Sequence, residues 1–437
     1  MSDLEVRVAE SEAEITAAGA LTAEAYHADR LIDDGDEYRD ELLDSGRRAD
    51  EAILVVAVLH VDGVDPVVVG TVTLAPQSSS YAEVAEPGEF EIRMLAVAPE
   101  ARRQGVAEAL VRACLRESVA SGARTVVLST LDAMAVAHRL YERLGFRRVP
   151  ERDWHHEGVN LRVLRWDAPA APGAEVETAT WRPARGHGID GWRAGISGGF
   201  TRRANSVMTA GSPVDVDGAI IRVERVYADA GHGPVFRVGR ESQPPDLASR
   251  LEARGYRSVA QTLVMVHEDL AGLAASGTRA LAGSAADAFS IVTAETPDDA
   301  WLTGWLGVKS ASAPVDRELA LGILTGSPAA YLTAFEANEP RDPASTAADR
   351  AHRATVGVIR AAFVNDWVAL ACLAVPAAAR RRGLASALTA AAAREADRRG
   401  ARRAFLQVEH ANSAAITVYE RLGFVPADAY HYMEAAG

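Results

Sequence analysis

Short apolar runs alternate with helical-period segments along the chain. Leu4 to Val8 reads as a strand, Glu12 to Ala25 and the stretch near Tyr38 to Leu43 as helices, and Ile53 to Leu59 and Val67 to Leu74 as strands. Asp62-Gly63 between the last two is a hairpin signal. Met94 to Val97 is another short strand. Past a Pro/Arg/Gly loop, Val106, Ala109, Leu110, Ala113 and Cys114 recur at helical spacing until Gly122 stops the helix. Thr125 to Leu128 is the next strand, Ala133 to Leu144 a helix ended by Gly145, and Asn160 to Trp166 a closing strand.

The same pattern returns 278 residues later. Tyr141-Glu142-Arg143-Leu144-Gly145-Phe146 recurs unchanged as Tyr419-Glu420-Arg421-Leu422-Gly423-Phe424. In that register Leu95-Ala96-Val97 meets Leu373-Ala374-Val375, and Arg102-Arg103-Gln104-Gly105-Val106-Ala107 meets Arg380-Arg381-Arg382-Gly383-Leu384-Ala385. Three motifs held in one register mark a duplicated strand–loop–helix–strand–helix unit, too widely spaced for a solenoid.

These repeats predict a first domain over 1–167 and a linker over 168–176, where Pro169 and Pro172 stand among alanines. A distinct middle segment follows over 177–270, and a last domain over 287–437. The middle has one amphipathic helix, Val216 to Ala230, with Val216, Ala219, Ile220, Val223 and Val226 on one face, and a short helix from Leu247 that ends at Gly255-Tyr256. It contains no Arg-x-x-Gly-x-Ala loop. Ala271 to Ala286 reads as a weak linker, and Glu336 to Ala351 as a polar insertion.

Composition then removes several function classes. With 437 residues, 48% hydrophobic and 24% charged, the chain can bury sizeable cores. A net charge of −14 disfavours nucleic acid and anionic membrane and suits a cationic acceptor. No apolar run is long enough to span a bilayer, and the acidic start with no apolar core behind it is not expected to act as a signal peptide. Cys114 and Cys372 lie in apolar segments, so the expected compartment is reducing and cytoplasmic. His155-His156-Glu157 has no third ligand in view, and no metal is expected. Gly186 to Gly191 and Gly195 to Gly199 fit glycine-rich catalytic patterns but lack the strand–turn–helix context that those need.

The chemical signal is the twin loop. Unpaired amides at a helix start, together with the macrodipole, make an anion site. Gly105 and Ala107, like Gly383 and Ala385, leave the backbone open to a phosphate, and the arginines add positive charge.

Leu-Ala-Val, Arg-x-x-Gly-x-Ala and the Tyr-Glu-Arg-Leu-Gly-Phe helix end together resemble the GNAT superfamily of acyl-CoA-dependent N-acyltransferases. The resemblance implies an α/β mixed-sheet fold, with two intact units flanking one degenerate unit. It implies acetyl-CoA held by Leu95, Val97, Arg102, Arg103, Gln104, Gly105, Val106 and Ala107 in the first copy. The second copy would use Leu373, Val375, Arg380, Arg381, Arg382, Gly383, Leu384 and Ala385. Tyr141 and Tyr419 would lie near the thioester sulfur as acids, and a main-chain amide near Val97 or Val375 would face the thioester carbonyl. Asn412, seven residues before Tyr419, matches the family's cofactor-side Asn; Met134 stands in its place in the first copy. For a base, Glu91 and Glu409 are the candidates, each also readable as a solvated carboxylate. The peptide N-terminal branch of the family has Glu where this chain has Gln407. The expected activity is acetyl transfer to a primary amine, on a small molecule or a peptide N-terminus, by direct attack. A non-catalytic acyl-CoA-binding or regulatory role is the alternative, at least for the first copy. The acceptor and the oligomeric state are not legible.

Overall fold

A computed structural model describes residues 3–33, 35–156, 159–280, 289–309, 316–336 and 355–435. The insertion after Glu336 and the end of the second linker fall outside them. The described chain forms two units, Met1–Ala168 and Pro169–Gly437.

The first unit runs β1 (Asp3–Val8), α1 (Glu12–Ala28), α2 (Tyr38–Leu43), α3 (Ser45–Glu51), β2 (Ile53–Val61), β3 (Val64–Pro76), β4 (Glu89–Val97), α4 (Val106–Ala120), β5 (Thr125–Leu131), α5 (Ala135–Arg143), β6 (Arg147–Arg148), β7 (Trp154–His156) and β8 (Val159–Asp167). Ser11 starts α1 through a reciprocal cap with Glu14, which satisfies amides that the helix leaves unpaired. The sheet order is β1-β2-β3-β4-β5-β8-β6, with β7 also on β8. β4 and β5 pair in parallel. Leu54 to Val58 of β2 are buried without alternation, as a strand covered on both faces requires. On β3, a Cβ at Gly70 would strike Val106 and Leu110 of α4, so the glycine lets that helix lie close. Thr73 faces the other way and meets the buried Arg48 of α3, which also donates to the Leu42 carbonyl at 2.8 Å.

The second unit begins with α6 (Ala174–Thr180), which crosses the boundary that composition suggests at 176. Glu241 accepts from the Ala174 amide and so holds the start of that helix. There follow β9 (Arg185–Ile189), β10 (Trp192–Ile196), β11 (Val207–Met208), α7 (Val216–Asp229), β12 (Val235–Gly239), α8 (Leu247–Glu252), β13 (Tyr256–His267), α9 (Leu270–Ala280) and β14 (Phe289–Ala294). The remainder is α10 (Asp299–Lys309), α11 (Arg317–Thr325), β15 (Ala329–Glu336), β16 (Thr355–Val364), β17 (Trp367–Ala374), α12 (Leu384–Arg398), β18 (Arg403–Glu409), α13 (Ser413–Arg421) and β19 (Val425–Ala435). The apolar face expected on α7 is buried at Ala219, Ile220 and Val223, and packs with Trp192 and Phe236.

One sheet runs through this unit in the order β14-β15-β16-β17-β18-β13-β19-β12-β11-β10-β9. Segments 177–270 and 287–437 therefore share a sheet and interleave. In the first unit, the place between β5 and the strand after α5 is filled by β8, a later strand of the same unit. In the second unit the equivalent place, between β18 and β19, is filled by β13 of the middle segment, antiparallel to both. Reciprocally, β19 lies between β12 and β13. β11 and β12 pair in parallel, as do β17 and β18. Each half thus supplies a strand that the other lacks.

Candidate active sites

The two Arg-x-x-Gly-x-Ala loops share one backbone. Arg103 and Arg381 have φ of 62° and 61°, and Gly105 and Gly383, each the N-cap of its helix, have φ of 84° and 77°. Neither N-cap supplies a side-chain hydrogen bond, so the first amides of α4 and α12 face outward unpaired. A Cβ at either glycine would meet nothing within 4 Å, so the space over both loops is open. Arg102 and Arg380 fold back through Nε onto the carbonyls of Val97 and Val375, at 3.3 and 3.2 Å. Val106 and Leu384 turn inward as the first buried residues of their helices.

Beside each loop the strands part. The parallel ladder of β4 and β5 runs from Glu89–Thr125 to Ile92–Leu128 and stops, although β4 continues to Val97 and β5 to Leu131. In the second unit it runs from Trp367–Arg403 to Leu370–Leu406 and stops in the same way. Met94 and Cys372 kink the strands just past the last pairs, with φ of 54° and 57°. Leu95 and Val97, and their counterparts Leu373 and Val375, lie beyond the kinks on the way to the loops.

Tyr141 and Tyr419 sit on the helices that follow the partner strands. Tyr141 is buried against Phe146, ring centres 5.7 Å apart; Tyr419 is half-buried against Phe424 at 5.8 Å. Burial pushes the Tyr419 phenol up to about 12, with the Cys372 thiol adding to the effect. Burial raises Tyr141 too, reinforced by Cys114. Both phenols therefore keep their protons at neutral pH. Asn412 caps α13, its Oδ1 accepting from the Ala415 amide at 3.2 Å; Met134, at the same place before α5, makes no such cap.

The carboxylates divide. Glu409 is exposed at the end of β18. Glu91 is fully buried, so it is no solvated carboxylate. Its Oε2 accepts from the amides of Glu83, Val84 and Ala85 at 2.8, 2.8 and 3.1 Å, while Oε1 accepts no hydrogen bond and lies 3.9 Å from Nη1 of Arg93. Burial raises its affinity for a proton, and the Val84 amide and Arg93 work the other way. The residue 278 positions on is Ala369, so the second unit has no equivalent.

Other features were not legible in the sequence. Asp29, at the end of α1, takes Arg102 with a two-pronged ion pair at 2.8 and 3.1 Å. Arg382 pairs with Glu336 at 2.7 Å, and Arg380 lines a cleft of about 660 Å3 with Thr303, Gly304, Gly307 and Pro376. In the middle segment, Asp215 caps α7 with its own carboxylate, bonded to the Gly218 amide at 3.0 Å. A negative charge there occupies what the twin loops leave open. Among the described residues no cluster of His, Cys, Asp and Glu could hold a metal, and no helix is long and apolar enough to cross a membrane.

Comparison with known proteins places these loops. The family model described as "Acetyltransferase (GNAT) family" matches residues 20–146 and 324–424, together more than half of the chain. N-acetylaspartate synthetase of Danio rerio is 40% identical over 63 residues, which span 14% of this chain and 22% of that protein's length. Among solved structures, a GCN5-related N-acetyltransferase from Kribbella flavida is 13% identical, with 62% of this chain and 97% of that one covered and a TM-score of 0.42. A tandem GNAT protein from the clavulanic acid biosynthesis pathway is 16% identical over 100% of this chain and 99% of its own, with a TM-score of 0.32. On the strength of the two matched regions, each carrying one loop and one tyrosine helix, the chain belongs to the GNAT acetyltransferase family.

Proposed function

We propose that the chain moves an acetyl group from acetyl-CoA to a primary amine, on a small molecule or a peptide N-terminus, in two separate sites. The observation that carries this reading is the pairing, twice, of an uncapped helix N-terminus with a parted pair of parallel strands. The residues fit such a donor. The amides after Gly105 and Gly383 suit a pyrophosphate, and the gaps beyond Ile92 and Leu370 suit its pantetheine arm.

The attacking amine adds its lone pair to the thioester carbonyl carbon. A main-chain amide near Val97 or Val375 stabilises the oxygen as it gains charge. The carbon–sulfur bond then breaks, and the departing thiolate takes its proton from Tyr141 or Tyr419, both held protonated by burial. In the first site, Glu91 is the candidate to receive the amine's proton, through Oε1, which accepts no hydrogen bond; in the second, the exposed Glu409 or solvent takes it.

The middle segment supports the second site without binding acyl-CoA, because Asp215 already fills the start of α7. A binding role without turnover has two features in its favour in the first unit: Met134 and the Asp29–Arg102 pair leave that site less equipped than its twin. Thiol release from acetyl-CoA in the presence of a mixed amine panel tests the whole reading. Acetyl-CoA binding with no thiol released by any amine would replace it with the non-catalytic one.

A further inference from the structure

Gln407 is the first residue of β18 past the last rung that joins it to β17, at the point where the strands part. It shares a strand face with the buried Phe405, toward the core that α10 and α11 cover, away from α12. Its Nε2 donates to Oε2 of Glu177, which comes from α6 in the middle segment, outside the repeat. Glu177 is itself buried and pairs through Oε2 with Arg237 of β12 at 2.6 Å, and the Tyr430 ring of β19 lies 3.7 Å from that guanidinium. A carboxylate only accepts, so this contact fixes which end of the Gln407 amide points where. The other end, Oε1, is buried and has no hydrogen-bond partner. A buried acceptor left unmet is costly, and native proteins keep few of them.

We propose that Gln407 Oε1 receives an N–H of the incoming amine in the second site, and that Glu177 is the positioning residue that aims it. This deepens the acetyltransferase reading and rests on it. The amide takes no proton; it accepts one hydrogen bond from the nucleophile and so directs the nitrogen lone pair toward the thioester carbon. A primary amine has the N–H to give, whereas a tertiary amine or an alkoxide does not. The first site has no such atom: the residue at the same offset, Ser129, takes the indole N–H of Trp154 at 3.0 Å. The two sites therefore meet their amines differently, the first with Glu91 and the second with an amide steered from another part of the chain.

The test uses the full chain with its first site silenced by Gly105→Trp, and the amine that the panel shows to be best acetylated. Gln407→Leu leaves the Glu177–Arg237 pair intact, so Tm and acetyl-CoA affinity should stay at their reference values. The kcat/KM for the amine should fall about ten- to a hundredfold, the loss of one oriented hydrogen bond to the nucleophile. Glu177→Gln keeps shape and one acceptor, so it should lower the same ratio by a smaller factor. If kcat/KM stays within about twofold in Gln407→Leu, or if Tm and acetyl-CoA affinity drop with it, the assignment is overturned in favour of a purely structural pair. If the unmodified chain acetylates no amine in the panel, the function proposed above fails, and this inference with it.

Discussion

Met94 and Cys372, 278 residues apart, bend their strands at one kink, with φ of 54° and 57°. A left-handed residue that is not glycine costs about 1–2 kcal/mol, and here the chain bears it twice at one place. The kink lies just where the parallel ladder ends, and it turns the strand away from its neighbour. The gap and the uncapped helix start beyond it form one device, present in both units.

Two binding events for acetyl-CoA are therefore expected. Gly105→Trp and Gly383→Trp each place a large side chain over the amides and strain a backbone at φ of 84° or 77°. Calorimetry on the unmodified chain should give two sites, and each variant should lose one of them. A single site in the unmodified chain contradicts this.

The second site should turn over faster. Tyr419 has Asn412 at the head of its helix; Tyr141 has Met134 there, and Arg102 of its loop is held by Asp29. Tyr419→Phe should lower thiol release at the second site about 10²–10⁴-fold, so that the overall rate falls to first-site turnover. Tyr141→Phe should remove a minor share. Loss of all activity in Tyr141→Phe alone would invert the ranking.

Acid should loosen the first unit through Glu14. A side-chain bond from Arg7, then the amides of Glu10 and Ser11, pull its carboxyl down to about 2 from an ordinary 4.5. The folded state thus favours the ionised form. Its contribution is whole above the unfolded value and is lost as pH falls toward the folded one. Glu14→Gln should lower Tm at pH 7, and the gap between variant and reference should close as pH drops from about 5 to 2. A gap that holds constant to pH 2 would assign the effect to the α1 cap geometry alone.

The repeat, the loops and the tyrosine helices were legible because each rests on residue types that survive in an ungapped register. Other parts left no such trace. Gly70 and Gly357 both admit a close helix, against Val106 and Leu110 in one unit and Leu384 and Leu388 in the other. They lie 287 positions apart, so a fixed offset of 278 misses them. Met94 and Cys372 do align, but their shared feature is a dihedral angle and their side chains have nothing in common. Glu177 was hidden because α6 straddles the boundary drawn at 176, so the helix that carries it was split between linker and middle segment. Its meaning comes from Arg237 and Gln407, 60 and 230 positions away. Interleaving of β13 and β19 is long-range pairing that no local pattern encodes.

That interleaving gives the sharpest test of architecture. β18 and β19 do not pair with each other; β13 holds each of them along an antiparallel ladder, Thr262 to His267 against Glu409 to Ala404 on one side and Tyr256 to Val266 along β19 on the other. A fragment starting at residue 289 keeps the loop, Asn412 and Tyr419 but loses β13, Glu177 and Arg237. It would expose two long strand edges and leave Gln407 without its anchor, and unpaired edges of this kind template aggregation. The expected outcome is an insoluble or unfolded fragment with no acetyl-CoA binding. A fragment starting at Pro169 retains every strand of its sheet and should fold, bind one acetyl-CoA and keep the second site's turnover. The fragment ending at Ala168 should fold alone as well, because β8 closes its sheet from within. Circular dichroism melts and calorimetry on the three pieces decide the matter. A soluble, cooperatively melting 289–437 fragment with full activity would show that the borrowed strand is dispensable, and with it the role given to the middle segment.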